Sequence, residues 1–290
     1  MALGGAGDAA TQARRLRSTR SLWDPNSVDE SWIGEVVRLI PRMRSWVAAD
    51  YPGTKIAISE YNWGGYESIN GALAQADVLG IFGREQLDLA TLWTAPDTGQ
   101  PVAHAFRLFR NYDGAGSRFG QTSVRAASTD QARVAVYAAE RTDQAATLLL
   151  INKTTQPQST PLAVAGFAPG AIAAVYRYSE ANPTGIERLA DVPFTSGGPG
   201  APLQPPGGTL ALPASSLTLI VLRAGGAAGD MNCDGNLDLA DINPFVLALI
   251  DPEEYARQFP GCDIMRADVA PDGSLDGRDV QSFVTLLVGR

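Results

Sequence analysis

Residue types able to do chemistry gather most densely in the stretch Lys55-Ile-Ala-Ile-Ser-Glu-Tyr-Asn-Trp-Gly64. A carboxylate, two aromatics and an amide follow one another at Glu60, Tyr61, Asn62 and Trp63, and packing alone gives no reason for that grouping. Flat aromatic faces stack on pyranose rings, and a carboxylate beside them can attack or stabilise an oxocarbenium-like centre, so the group suits a sugar. The plainer alternative is a Glu60 that caps a helix or pairs with an arginine, with Trp63 filling a core. A second concentration lies near the C-terminus. Asp230-Met-Asn-Cys-Asp-Gly-Asn-Leu-Asp-Leu-Ala-Asp241 aligns with Asp268-Val-Ala-Pro-Asp-Gly-Ser-Leu-Asp-Gly-Arg-Asp279, sharing Asp at positions 1, 5, 9 and 12, Gly at 6 and Leu at 8. Calcium takes many hard oxygen ligands around a tight turn, and this spacing supplies them. The ligand candidates are Asp230, Asn232, Asp234, Asn236, Asp238 and Asp241, then Asp268, Asp272, Ser274, Asp276 and Asp279. Ala270 stands in the second loop where position 3 would offer an oxygen. The alternative is a pair of acidic loops that hold no metal.

These residues need elements to position them. Residues 55–59 read as a short strand, buried on both faces, after the turn Tyr51-Pro52-Gly53. In a barrel of parallel strands the C-terminal strand ends carry the chemistry. Residues 28–50 read as a helix from the spacing of Ile33, Val36, Val37, Ile40, Met43 and Val47, with a kink or break at Pro41. A second helix is expected over 70–84, a strand over 87–93 ending in Trp93, and a helix over 102–112. That last helix holds His104, the single histidine of the chain, which has no ligand partner of its own kind and reads as structural. From about 120 to 223 short β-rich runs (132–138, 146–152, 171–178 and 216–222) are separated by Gly/Pro clusters and indicate a β-sandwich. Ala224-Gly-Gly-Ala-Ala-Gly229 reads as a linker, and each acidic repeat leads into an amphipathic segment, 243–250 and 280–288.

The charge is uneven. The chain carries a formal net charge of −8, and residues 230–290, with twelve acids and four basic residues, account for all of it. That balance argues against nucleic acid as a partner and for a cation. No apolar run is long enough to span a membrane. Cys233 and Cys262, the two cysteines, read as a disulfide formed in an oxidising compartment, the alternative being two buried thiols. The opening Met1-Ala-Leu-Gly-Gly-Ala-Gly-Asp8 shows neither a charged segment nor an apolar core of an export signal, which fits a chain whose true beginning is missing.

The runs Arg17-Ser-Thr-Arg-Ser-Leu-Trp-Asp24, Leu39-Ile-Pro-Arg-Met-Arg-Ser-Trp46, Ile58-Ser-Glu-Tyr-Asn-Trp63 and Gly71-Ala-Leu-Ala-Gln-Ala-Asp-Val-Leu-Gly-Ile-Phe-Gly83 resemble, in order and spacing, the second half of the catalytic domain of glycoside hydrolase family 44. The resemblance covers roughly residues 8–153. It implies an endo-acting β-1,4-glucanase, often active on xyloglucan, in which Glu60 is the nucleophile and Tyr61, Asn62, Trp63 and Trp93 line the substrate cleft. Trp23 lies on a loop over that cleft, as a sugar platform or as packing against the next helix. The family's proton donor sits in an Asn-Glu-Pro motif, which this chain lacks, and Asp24, Glu67 and Asp97 match no family acid. The implied architecture is the C-terminal part of a (β/α)8 TIM barrel over 1–118, a β-sandwich over 119–223, a linker over 224–229 and a small helical calcium module over 230–290. A whole barrel takes about 250 residues, so the chain is expected to be a portion cut after the sixth strand, inactive by itself and with exposed barrel edges. The acidic repeats, with Asp at position 12, resemble dockerins, lengthened around 251–262. That implies Ca²⁺ as the cofactor and a cohesin-type protein as a partner besides β-glucan, in an extracellular setting. The competing readings are a non-catalytic carbohydrate-binding or scaffold-attachment protein that works through its sandwich and calcium module, and a remnant without function.

Overall fold

The computed structural model of the chain describes residues 4–143, 145–167, 172–196, 201–223, 228–234, 236–260, 262–270 and 274–289. Two compact units emerge: one of Met1–Ala163, Ile172–Pro193 and Gln204–Arg223, the other of Val164–Ala171, Phe194–Leu203 and Ala224–Arg290. Of the expected linker, residues 224–227 lie outside the described residues.

The first unit opens with helix α1 (Ala9–Ser18), whose start is fixed by the Asp8 carboxylate accepting from Thr11 N at 2.8 Å. A 3-10 turn, Thr19–Leu22, follows. The helix expected over 28–50 begins only at Leu39: α2 runs Leu39–Asp50. Pro41 has no N–H to give and is accommodated in the first turn of a helix, so its position sets the start rather than a kink. Ahead of it the chain folds back on itself. Val28 bridges to Val36, Asp29 N bonds Glu35 O at 2.8 Å, and Trp32 is left 95% exposed at the tip.

Strand β1 (Ala57–Tyr61), helix α3 (Ile69–Arg84) and strand β2 (Leu89–Leu92) form a parallel βαβ unit, paired Ala57 to Leu89 and Ile58 to Ala90. The strand was expected to be buried on both faces. Instead Ala57, Ser59 and Glu60 are exposed, because the parallel sheet has only these two strands. Helix α3 is the reverse case: buried residues occur all around it, from Asn70 to Phe82. Ser68 caps it by accepting from Gly71 N at 3.1 Å. Helix α4 (Pro101–Arg110) packs beside it and holds His104, which is buried and stacked on Tyr178 at 4.6 Å.

The remaining strands are β3 (Thr122–Val124), β4 (Val134–Glu140), β5 (Ala146–Asn152), β6 (Gln158–Pro161), β7 (Ile172–Ser179), β8 (Asn182–Pro193), β9 (Thr195–Ser196), β10 (Leu203–Gln204), β11 (Thr209–Leu212) and β12 (Ser216–Arg223). Six of them make one antiparallel sheet in the order β3-β4-β5-β12-β7-β8, while β6 and β11 form a two-stranded ribbon. Tyr137, Leu149, Ile151, Leu217 and Leu219 share one core with Leu73, Ala76 and Ile81 of α3, Leu108 of α4, and Tyr61. The alternate residues Val136, Leu148, Leu150 and Ile220 are buried as well. The helix and the sheet meet at Gly80, where a Cβ would come within 2.2 Å of the Tyr137 ring. Beside that contact Asp77 is buried and shared between three segments. Its Oδ2 accepts from Thr19 Oγ1 at 2.6 Å and Lys153 Nζ at 2.7 Å, and its Oδ1 accepts from Tyr137 OH at 2.7 Å.

The second unit holds α5 (Ile242–Ile250), α6 (Pro252–Gln258) and α7 (Arg278–Val288) around Met231, Phe245, Tyr255 and Phe283, with Phe245 and Phe283 stacked at 3.9 Å. Cys233 and Cys262 are joined by a disulfide.

Candidate active site

Glu60 stands near the C-terminal end of β1 and is exposed to solvent. Its backbone is in the left-handed region at φ 62°, which costs an ordinary side chain about 1–2 kcal/mol. The cause is a bulge. Three steps from Ile58 to Tyr61 face two from Ala90 to Leu92 across the ladder, so one residue is extra and the chain rotates there. Glu60 N–H donates to Thr91 Oγ1 at 3.3 Å, and Trp93 N–H donates to Tyr61 O at 3.0 Å, which carries the pairing past the bulge. Strain of this kind clusters where a side chain must be aimed. Its effect here is to leave the carboxylate outside while the next residue turns inward.

That next residue is Tyr61, expected among the sugar-facing aromatics. The structure places its ring in the core instead, edge-on to Phe82 at 5.1 Å, with its hydroxyl accepting from Gln75 Nε2 at 2.9 Å. Burial pushes that hydroxyl up to about 12. Asn62 Oδ1 accepts from Gly64 N at 2.6 Å and closes a turn. Trp63 is half-buried, and its indole N–H donates to Ser18 Oγ at 3.0 Å. Trp93 is 57% exposed and lies beside the bulge through its bond to Tyr61. Trp23 is not brought to this end. Contacts of Arg15 with Asn70, Thr19 with Asp77 and Trp23 with Arg84 step along α3 in order. At 1.5 Å per residue, Arg84 is roughly 21 Å along the helix from Asn70. Trp23 is half-buried there, with the Arg84 guanidinium 4.1 Å over its ring. Asp24 is buried and ion-paired with Arg20 at 2.7 Å, and is not brought to Glu60 by that pairing.

Sequence reasoning missed the groups that hold this end. Arg15, only 1% exposed, bonds Trp63 O at 2.9 Å, Ala6 O at 2.8 Å and Asn70 Oδ1 at 2.6 Å. Burial depresses its pKa. Gly65 turns at φ 68° beneath it, and a Cβ there would lie 2.9 Å from Arg15 Cζ. The run Arg14-Arg-Leu-Arg17 carries no hint that one of its members is internal. Asp77 did leave a signal: it is the single charge in the apolar run 71–83 and, as such, had to have partners.

In the second unit the two acidic repeats make the same bonds. Asp241 Oδ1 accepts from Asn232 N at 3.0 Å and its Oδ2 from Asp238 N at 2.9 Å. Asp279 Oδ1 accepts from Ala270 N at 2.9 Å and its Oδ2 from Asp276 N at 3.0 Å. Asn232 Oδ1 takes Asp234 N, Asp234 Oδ1 takes Asn236 N, and Asp230 is ion-paired with Arg266 at 3.0 Å. Asp272 lies outside the described residues; Asp268 and Ser274 are within them. The donor set has calcium chemistry, but among the described residues no three His, Cys, Asp or Glu side chains are grouped to hold a metal ion.

Among the described residues no helix is long and apolar enough to cross a membrane. No model of a protein family matches the sequence. Endoglucanase A of Paenibacillus lautus is 42% identical over 152 residues, which are 51% of this chain and 22% of that protein. Beta-mannanase/endoglucanase A of Caldicellulosiruptor saccharolyticus is 37% identical over 155 residues, 48% of this chain and 12% of that protein. A bifunctional glucanase-xylanase from a metagenome library superposes with TM-score 0.68 at 46% identity over 77% of this chain and 41% of its own. The glycoside hydrolase family 44 endoglucanase of Clostridium thermocellum superposes with TM-score 0.67 at 30% identity over 76% and 43%. The chain therefore spans less than half the length of these relatives. Its neighbours in structure include family 44 endoglucanases and xyloglucanases, and its curated relatives are endoglucanases.

Proposed function

We propose that the first unit carries part of the sugar-cleaving centre of an endo-β-1,4-glucanase-type glycoside hydrolase acting on plant glucan, with Glu60 as the nucleophile of a retaining mechanism. One observation supports this reading above the others: Glu60 is the exposed, backbone-strained residue at the end of a strand in a βαβ unit. Trp93 and the outer part of Trp63 are the aromatic surfaces for the sugar, and Asn62 shapes the turn between them. Retention of configuration needs a second carboxyl about 5–5.5 Å from the first, acting as proton donor. The absence of Asn-Glu-Pro from this chain means that the donor is supplied by residues outside it, and natural glucans are not hydrolysed by the chain alone. Residues 119–223 are the sandwich that accompanies such a catalytic domain, and the enzyme works outside the cell.

The test removes the need for a donor. A dinitrophenyl 2-deoxy-2-fluoro-cellooligosaccharide has a leaving group that departs as phenolate without protonation. Attack by the Glu60 carboxylate at the anomeric carbon forms a glycosyl ester and releases dinitrophenolate. Intact-mass analysis is expected to show one glycosyl group on the chain, mapped to Glu60 and absent from Glu60→Gln. An unlabelled wild-type chain rejects the assignment.

For residues 230–290 the proposal is a dockerin-like calcium module. Asp230, Asn232, Asp234, Asn236, Asp238 and Asp241 make the first loop, and Asp268, Asp272, Ser274, Asp276 and Asp279 the second. Two loops built on one bonding scheme support it, as does the acidity confined to this module. A cohesin-type protein is the partner such a module would take. Addition of Ca²⁺ is expected to raise the module's melting temperature and EGTA to reverse it; indifference to both rejects calcium.

A further inference from the structure

An opening in the first unit lies away from Glu60, whose position lines no part of it. A cavity of about 650 Å³ lies at the far end of α3, between that helix, the end of α4 and the edge strand β3. Its size is in the range of small-molecule sites. Its lining is selective. Phe109 and Phe119, with ring centres 5.0 Å apart, give an aromatic wall. Gln86 and Gln121 offer amides. Two guanidinium groups, Arg84 and Arg110, also line it, and no Asp or Glu does, in a chain whose net charge is −8.

Arg84 is held in place. Its plane lies 4.1 Å over Trp23, with the Tyr137 ring 5.8 Å away, and its Nε bonds Glu85 at 2.9 Å. Its Nη2 is a buried donor with no hydrogen-bond partner among the described residues. Arg110 is exposed at the rim.

The geometry points to a binding site for a carboxylated sugar ring, a uronate, with the carboxylate toward Arg84 and Arg110 and the ring against Phe109 and Phe119. A carboxylate offers acceptors to the guanidinium groups that line the cavity, and charge-assisted bonds of this kind are the strong ones. The amides of Gln86 and Gln121 suit ring hydroxyls. This site is separate from Glu60 and stands whether or not Glu60 is a nucleophile.

Isothermal titration of the full chain with glucuronate, glucose and acetate at low ionic strength tests it. Glucuronate is expected to bind roughly tenfold more tightly than either of the others, since each lacks one half of the recognition. Arg110→Gln is expected to weaken glucuronate about tenfold and leave glucose unchanged. Arg84→Lys keeps the charge but loses the planar fork and is expected to weaken it as well. Glu60→Gln is expected to have no effect. Glucuronate binding no better than glucose, binding indifferent to Arg110→Gln, or no binding at all each overturns the proposal; circular dichroism confirms that the variants are folded.

Discussion

The parallel pair β1–β2 and the six-stranded antiparallel sheet are built of similar apolar sequence but sit in opposite environments. In the large sheet, β5 and β12 are buried on both faces and paired on both edges. In the small one, only the side toward α3 is covered, and the strand twists out of register at Glu60. The proposed nucleophile lies on the less covered of the two. A carboxylate proposed to meet a substrate is left open here, and the bulge that exposes it is followed at the very next position by the buried Tyr61.

Four measurements bear on that division, from the largest effect to the smallest. Asp77→Ala removes the group that joins α3 to the large sheet and leaves Lys153 charged and buried. Urea denaturation is expected to show a loss of about 3–5 kcal/mol. A loss under 1 kcal/mol would mean that the sheet does not brace the βαβ unit through this contact. Tyr61→Phe leaves Gln75 without its hydroxyl partner and is expected to cost about 1–2 kcal/mol by the same assay, with the fluorescence of nearby Trp63 shifting. Glu60→Gly relieves the left-handed strain and is expected to stabilise the chain by up to about 1 kcal/mol, less the extra flexibility glycine brings when unfolded. It also removes the proposed nucleophile. A Glu60→Gly destabilised by more than glycine's own cost of about 1 kcal/mol would show that the bulge is not strained.

The last is a pH effect on the α4 side. His104 has its pKa lowered by burial and then by the neighbouring Arg107, while Tyr178 stacks on its ring. The unfolded state then binds the proton more readily than the folded one. The contribution of His104 is complete above its ordinary value near 6.5 and is lost as pH falls through and below it. Melting curves between pH 8 and pH 5 are expected to fall less for His104→Asn than for the wild type.

How much of this could be read from the sequence depended on whether the signal was local. The helix expected over 70–84 is found at Ile69–Arg84, and the strand expected over 146–152 at Ala146–Asn152, because each has a long unbroken period. Glu60 stood out by the company it keeps. The helix expected over 28–50 failed in its first half because the apolar spacing of Ile33, Val36 and Val37 mimics a helix, whereas Pro41 sets the true start. Tyr61 was misplaced because a bulge reverses the facing of every later residue, and nothing in the adjacent letters announces one. Arg15 and its carbonyl partners depend on a segment 48 residues away and were out of reach of any local pattern.

Gly80 carries a consequence beyond its own position. With no side chain at that point, α3 rests directly on the Tyr137 ring, and the clearance between helix and sheet is set by a missing methyl group. Even an alanine there would act as a wedge. It would tilt α3, and with it the end of β1 at Tyr61, seven residues before the Ser68 cap of the helix. The aim of Glu60 is thus adjusted from the opposite end of the same helix, by an atom that is not there.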